Sequence, residues 1–315
     1  MTTYTALPPE RFEADRHRLR SVAYRMLGSL GEAEDAVQET WLRAARADVG
    51  DVENLSGWLT TVVGRVCLNM LRSRRTRPEV SLDAQVSEPA VGTAEGGDPE
   101  EEALLADSVG VALLVVLDTL APAERLAFVL HDLFAVPFDT IAPMIERTPA
   151  TTRQLASRAR RRVRGGASPA VADRARQRQV ADAFLAATRG GDFEALLALL
   201  HPDVVLTADR FVVPTPEPLT VSGARPVAEG AMAATGRARF TGLALLDGRV
   251  GLAMAPHGRL RLVLLFTLAE GGITRIEVVA DRERLDDIEV AVLDTAEAEP
   301  LGAGPVDTAP VNAED

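Results

Sequence analysis

Apolar residues recur every three or four positions along the first quarter of the chain, which is the spacing of amphipathic helices. Three segments follow this pattern. The middle one, SLGEAEDAVQETWLRAARA, sets an apolar face against a charged one. Its apolar positions are Ala33, Ala36, Val37, Thr40, Trp41 and Ala44. Ser56 is the predicted N-cap of the third helix, and Pro78 ends the pattern. The sequence therefore predicts an all-α domain over residues 9–78.

A second helical pattern covers residues 103–165. It breaks at Ala121–Pro122, where the proline suits the first turn of a new helix. Two further helices are predicted in PFDTIAPMI and in TPATTRQLASRARRRVRGG, an arrangement typical of a helix-turn-helix. The last of these ends at Gly165 and Gly166. Its core-facing positions are predicted to be Leu155, Ala156, Ala159 and Val163.

The pattern changes over residues 173–294, where helices are followed by segments typical of strands. RARFTGLALL, RVGLAMAP, RLRLVLLFTLAE and ITRIEVVAD are joined by DG, HG and GG turns, which indicates an antiparallel meander. Helices followed by such a meander predict an α+β domain. The fold class is therefore multidomain, with two all-α domains followed by an α+β domain.

Two segments lack any periodicity. Residues 79–102 are rich in Pro, Gly, Ser, Glu and Asp, so we expect an acidic flexible linker. Residues 295–315 are acidic and rich in Pro and Gly, so we expect a disordered tail.

Charge is distributed unevenly along the chain. The net charge is −12, and every basic residue is an arginine. The arginines cluster at Arg65–Arg77 and Arg153–Arg164, in two of the predicted helices. Two basic patches in an acidic protein suit a factor that binds DNA poorly alone and well when a partner arranges it. Two solvated arginine-rich helices are the alternative that this pattern leaves open.

Composition also excludes several classes of protein. No apolar run approaches the roughly 20 residues that span a bilayer, and the N-terminus has no apolar export signal. The one cysteine, Cys67, permits no intrachain disulfide, so we expect a cytoplasmic protein without a membrane partner. We also expect no cofactor and no bound metal.

The segment DAVQETWLRAARA resembles the helix with which sigma factors of the extracytoplasmic-function (ECF) group bind the clamp of RNA polymerase. The resemblance implies that the chain binds the β′ clamp helices of core RNA polymerase. The residues that it assigns to this contact are Asp35, Gln38 and Glu39.

Two other segments resemble the promoter-reading parts of the same family. NLSGWLTTVVGRVCLNMLRSRRTRP is similar to the element that reads and melts the −10 region, which implies a promoter-DNA contact. The implied residues are Arg65, Asn69, Arg72, Arg74 and Arg75. The family often has asparagine at the position of Arg65, although a guanidinium can also stack on a base. SRARRRV resembles the domain that reads the −35 region, with Arg153, Gln154, Ser157, Arg158, Arg160 and Arg161 as the implied contacts.

The run VADAFLAATRGGDFEALLALLHPDVVLTAD resembles a SnoaL-like domain, in which a curved antiparallel sheet and helices enclose an apolar cone. Sigma factors with this extension form the SigJ-like type. There the extension is thought to regulate the sigma core, so no separate anti-sigma factor is required. The resemblance assigns the regulatory contact to Asp247, Gly248 and Arg249. An Asp-Gly pair is also an ordinary hairpin turn.

We therefore predict a non-enzymatic sigma factor that binds core polymerase, directs promoter recognition and is modulated by its own C-terminal domain. Acid or base groups in the cone would be needed for catalysis. The candidates are His201, Asp203, Asp209 and His257, of which the first two are expected to stabilise a turn. Two other functions stay open. One is a one-component helix-turn-helix regulator that senses a small ligand in the cone, and the other is a SnoaL-type enzyme with a DNA-binding fusion.

Overall fold

The computed structural model describes residues 7–50, 52–76, 109–165, 171–213 and 217–293. The predicted acidic linker at 79–102 and the predicted tail at 295–315 lie outside the described residues. Within the described part of the chain, no helix is long and apolar enough to cross a membrane.

The first domain consists of α1 (Pro9–Leu27), α2 (Leu30–Ala44) and α3 (Leu55–Thr76), which confirms the three predicted helices. Helix α1 ends at Gly28, whose φ of 81° lets its N–H donate to the Tyr24 carbonyl at 2.8 Å. The apolar faces of the three helices pack together, and the rings of Phe12 and Trp41 lie 5.1 Å apart. Burial of these faces holds the charged face of α2 toward solvent.

The prediction that Ser56 caps α3 is wrong. The Asn54 side-chain oxygen accepts from the Gly57 N–H at 2.9 Å, so Asn54 satisfies an orphan donor of the first turn. The Ser56 hydroxyl instead donates to Asp15 of α1 at 2.8 Å. Both residue types are good caps, and the tertiary contact to Asp15 decides between them.

The second domain contains α4 (Val111–Thr119), α5 (Pro122–Phe128), α6 (Phe138–Ile141) and α7 (Pro149–Arg164). A π-helical turn over Val129–Leu133 extends α5, and a 3₁₀ turn over Ala142–Met144 extends α6. The Thr148 hydroxyl caps α7 by accepting from the Thr151 N–H at 3.2 Å. The predicted break at Ala121–Pro122 and the predicted helix-turn-helix order are both confirmed.

The third domain has helices on a seven-stranded sheet and confirms the α+β class. Its helices are α8 (Val171–Gly190), α9 (Phe193–Leu199), α10 (Ala224–Ala233), α11 (Thr235–Ala238) and α12 (Arg282–Asp287). Its strands are β1 (Leu200–Ala208), β2 (Leu219–Ser222), β3 (Thr241–Leu246), β4 (Arg249–Met254), β5 (Leu262–Ala269), β6 (Gly272–Val279) and β7 (Val290–Ala291). The strand order is β2-β1-β6-β5-β4-β3-β7.

The sheet is mixed, which corrects the prediction of an antiparallel sheet. Strands β3 to β6 form the predicted antiparallel meander, but β1 runs parallel to its neighbour β6. Hairpin turns fix the direction of consecutive strands only. The whole segment from β2 to β5 separates β1 from β6, and so long a connection permits a parallel pair.

One hydrophobic core runs through both helical domains. Gly64 of α3 is buried where the two helical domains meet, and a Cβ there would lie 2.9 Å from Met144 Cε and 3.2 Å from Leu130 Cδ1. Arg125 of α5 is only 4% exposed, and its guanidinium donates to the Met26 carbonyl at 2.8 Å and to Asp118 at 3.1 Å. The two domains therefore pack as one body.

The third domain packs on the second at points where their backbones come close together. A Cβ on Gly242 of β3 would lie 2.9 Å from the Val111 Cβ of α4. The Val292 N–H, just after β7, donates to the Val163 carbonyl of α7 at 2.9 Å. A 3₁₀ turn over Pro256–Gly258 lies against Gly28 of the first domain. The third domain thus contacts both helical domains.

We expect Asn54→Ala to lower the free energy of unfolding by about 1 kcal/mol, because it removes the cap of α3. Both tryptophans, Trp41 and Trp58, belong to the first domain, so their fluorescence during urea unfolding reports on that domain. Asn54→Asp keeps an acceptor at the cap and is expected to stay close to the unmodified chain. Equal unfolding midpoints for the alanine and aspartate variants would contradict the assignment.

Candidate nucleic-acid and protein interfaces

Helix α2 presents an exposed ridge of four side chains. The predicted contacts Asp35 and Gln38 are exposed, and Glu39 is partly exposed beside them. Leu42 completes the i, i+3, i+4, i+7 spacing and is 44% exposed. The Glu39 carboxylate accepts from Arg43 at 2.7 Å, and the Glu39 side chain is still 45% exposed. We refer to these four residues as the α2 ridge.

Leu42 was not among the residues predicted from the sequence. The feature of the sequence that could have identified Leu42 is an apolar residue on the charged face of an amphipathic helix. A large exposed apolar residue beside polar ones is typical of a protein-binding surface.

The basic end of α3 is divided between two sides of the helix. The predicted DNA contacts Arg65, Asn69 and Arg72 are exposed and share one face, at i, i+4 and i+7. Arg74 lies about half a turn round from Arg65, because nine residues rotate the helix by about 900°. Its side chain is 31% exposed and forms an ion pair with Glu32 of α2. Arg75 lies outside the part of the chain whose side chains are described.

Helix α7 exposes most of its predicted DNA contacts. Ala156 and Ala159 are buried against the second domain, and Leu155 and Val163 are half-buried, as predicted. The opposite face therefore points to solvent. Its exposed members are Arg153, Gln154, Ser157, Arg158 and Arg161.

Carboxylates of α5 and its extension hold three of the α7 arginines. The Arg160 guanidinium lies 2.7 Å from Asp132 and is partly buried, so it is the least available of the predicted contacts. Glu124 is only 8% exposed and lies 3.8 Å from Arg158 and 3.4 Å from Arg162. These pairs orient the arginines and leave the N-terminal part of α7 free of carboxylate partners among the described residues.

The predicted regulatory residues form a hairpin turn. Asp247 and Gly248 have φ values of 49° and 78°, the two positive angles of a type I′ turn between β3 and β4. The Asp247 carboxylate accepts from the Glu289 N–H at 2.9 Å, and Arg249 donates to the Phe266 carbonyl at 3.2 Å. Asp247 and Arg249 are therefore held by bonds within the third domain. The surface that meets the helical domains is formed by β3, β7 and the 3₁₀ turn.

The third domain contains an apolar cavity of about 180 Å³ that is partly open to solvent. Phe184 of α8, Val227 of α10 and Leu252 of β4 are among its lining residues. His201, Asp203, Asp209 and His257, the candidate acid and base groups, lie outside this lining. The structure therefore places these four candidates in the domain but not at its cavity.

The hydrogen bonds of Asp209 give its carboxylate a structural role. Its carboxylate accepts from the N–H groups of Phe211, Ala280 and Asp281 at 2.7 to 3.0 Å, which ties the end of β1 to the end of β6. The His201 Nδ1 accepts from the Asp203 N–H at 3.1 Å, a local bond in the first residues of β1, where the pairing of β1 with β6 is irregular. Burial raises the pKa of the Cys67 thiol, so this cysteine is a packed apolar residue and not a nucleophile. The described residues hold no cluster of metal-binding side chains.

Comparison with known proteins gives consistent matches. Sigma-70 region 2 matches residues 11–77, and Sigma-70 region 4 matches residues 110–163. The probable ECF RNA polymerase sigma factor SigI of Mycobacterium tuberculosis is 35% identical over 87% of this chain and 93% of its own length. The ECF RNA polymerase sigma factor SigJ of the same species is 43% identical over 63% of this chain and 64% of its own length. The crystal structure of SigJ is 34% identical, covers 89% of this chain and 98% of its own, and has a TM-score of 0.42.

We expect Asp209→Ala to destabilise the third domain by roughly 3 kcal/mol, because it leaves backbone donors without a charged acceptor. Asp209→Asn keeps one acceptor oxygen and is expected to lose less. Thermal unfolding followed by circular dichroism measures both. Unchanged stability in the alanine variant would contradict a structural role for Asp209.

Proposed function

The chain belongs to the ECF family of RNA polymerase sigma factors, and we propose that it binds core RNA polymerase, directs it to promoters and initiates transcription. Sigma factors are not enzymes, and the protein acts in the cytoplasm together with the polymerase. In this function the α2 ridge binds the β′ clamp helices. Arg65, Asn69 and Arg72 contact the −10 element, and the exposed face of α7 contacts the −35 element.

The observation that carries this proposal is the exposure of three separate faces on α2, α3 and α7. Each helix buries its apolar side in the shared core and turns polar or basic side chains to solvent. Arg153, near the start of α7, is suited to a base edge, and the arginines further along are suited to phosphates. A sigma factor needs all three surfaces at once, because it connects a protein to two stretches of DNA.

We infer that the compact arrangement is not the one that engages a promoter. The −10 and −35 elements are named for positions about 25 base pairs apart, which is roughly 85 Å of duplex at about 3.4 Å per base pair. Helices α3 and α7 are only about 33 Å and 24 Å long at about 1.5 Å per residue, and they pack on one core. Engagement of both elements therefore requires the helical domains to separate.

The third domain is proposed to regulate this separation. Its contacts at Gly242, Val292 and the 3₁₀ turn touch both helical domains, so it stabilises them in the compact state. The regulatory contact predicted at Asp247, Gly248 and Arg249 would then act indirectly, because Asp247 positions Glu289 next to β7. Regulation without a separate anti-sigma factor stays a prediction that rests on these contacts.

A one-component regulator is the second candidate function, and the apolar cavity favours it. A cavity of about 180 Å³ is larger than the roughly 150 Å³ cavity that binds benzene, so it can hold a compact apolar molecule. The sequence of this domain resembles SnoaL-like domains, and a binding cavity agrees with that resemblance. Run-off transcription with bacterial core polymerase separates the two functions. A sigma factor produces promoter-dependent transcripts, whereas a one-component regulator binds duplex DNA specifically without polymerase.

Replacement of Asp35, Gln38 and Glu39 by alanine is expected to weaken binding to core polymerase by about tenfold or more, because it removes the polar part of the α2 ridge. Surface plasmon resonance on immobilised core polymerase measures the affinity. Glu53→Ala is the matched control, since Glu53 is an exposed acid of the same domain outside the ridge. Equal affinities for the triple variant and the control would contradict the assignment.

Gly242→Val is expected to loosen the contact between the third and second domains. The added side chain meets Val111, and overpacking of this kind costs about 1 to 3 kcal/mol, which shifts a two-state population by roughly 5- to 150-fold. Promoter-dependent transcription and the radius of gyration are both expected to rise.

Gly236→Ala is the control for this experiment, because a Cβ at Gly236 meets nothing within 4 Å. If the Gly242 variant became more open and yet transcribed no more than the control, the third domain would not restrain the sigma domains.

A further inference from the structure

A second cavity, of about 510 Å³, lies where all three domains meet. We refer to it as the junction cavity. Leu71 and Arg74 of α3 line it from the first domain, and residues of α4 and α5 line it from the second. The third domain contributes the segment from Gly258 to Arg261 and the region around α12. Its volume falls in the range of about 300 to 1,000 Å³ that is usual for small-molecule sites.

The lining of the junction cavity is strongly cationic. Its charged side chains are Arg74, Asp118, Arg125, Arg259, Arg261, Arg282 and Asp286, so arginines outnumber carboxylates by five to two. This excess stands out in a chain whose net charge is −12. Like charges in one cavity repel one another, and the repulsion is relieved when an anion binds among them.

Carboxylates already hold three of these arginines. Arg125 pairs with Asp118 at 3.1 Å, Arg282 pairs with Asp286 at 3.1 Å, and Arg74 pairs with Glu32. Arg259 and Arg261 have no carboxylate within ion-pair distance among the described residues. Their backbone N–H groups donate to Pro256 and Met254, which fixes the segment that presents them.

Neither Arg259 nor Arg261 belongs to a surface that the proposed function uses. Both lie in the third domain, far along the chain from the basic clusters of α3 and α7. Guanidinium groups match phosphate oxygens in a bidentate geometry, and several of them around one cavity are typical of a phosphate-binding site.

We propose that the junction cavity binds a small phosphate-bearing anion, held chiefly by Arg259 and Arg261 with Arg74 and Arg125 beside them. The anion contacts arginines from all three domains, so it binds the compact state more tightly than a separated one. Its binding therefore shifts the population toward the compact state. This regulatory consequence rests on the proposed sigma function, whereas binding itself does not.

Isothermal titration calorimetry of the full chain with inorganic pyrophosphate tests the proposal at low ionic strength. We expect binding, and we expect the double variant Arg259→Ser with Arg261→Ser to bind at least about tenfold more weakly. The control variant, Arg239→Ser with Arg275→Ser, removes two exposed arginines of the same domain outside the cavity and is expected to bind like the unmodified chain.

Absence of binding to the full chain, or equal binding to both double variants, would overturn the proposal. A third variant identifies an internal competitor. Residues 294–315 carry six carboxylates and no basic residue, and they follow Val290, which lines the cavity. If pyrophosphate bound only after these six side chains were changed to amides, the occupant would be the chain's own tail and not a free anion. Because calorimetry does not depend on transcription, failure of the sigma assignment and failure of this proposal give different results.

Discussion

Packing of α3 against α5 joins the two helical domains in a single core. The helices that carry the proposed DNA contacts, α3 and α7, therefore lie on one body. Gly64 allows the helices to approach, since any side chain there would meet Leu130 and Met144. Arg125 is buried in the same interface, where an unpaired guanidinium would be costly. Its bond to the Met26 carbonyl exists only while the domains are together. Separation therefore exposes apolar surface and breaks a buried polar contact.

In the proposed function, a partner has to supply the free energy that separates the helical domains. The proposed polymerase contact on the α2 ridge and the proposed DNA contacts on α3 and α7 use faces that the compact state already exposes. These faces can therefore form a first encounter before the domains separate. In the proposed regulation the third domain acts in the opposite direction, because its contacts with α4, α7 and Gly28 are those of the compact state. The balance between these two sets of contacts determines which fraction of the protein has separated helical domains and can engage a promoter.

Helix positions and helix faces followed from the sequence because their cause is local. The 3.6-residue period of α2 placed Asp35 and Gln38 outside, and the same period, applied to Arg65 and Arg74, separates their side chains by half a turn. The Asp-Gly turn was equally local, since only its two positive φ angles were needed. The N-cap of α3 did not follow from local sequence, because Asn54 and Ser56 are both suitable caps. The contact that decides between them joins Ser56 to Asp15, which lies 41 residues away in sequence.

What the sequence determined by itself was the order of three domains, the identity of their elements and the chemistry of the exposed faces, because periodicity, caps and turns act over a few residues. The tertiary structure alone decided the parallel pairing of β1 with β6, the burial of Arg125, the pairing of Arg74 with Glu32 and the grouping of five arginines around one cavity. Each of these depends on segments that are distant in the chain. Their contacts are set by the packing of whole apolar faces, and no local pattern encodes which faces meet.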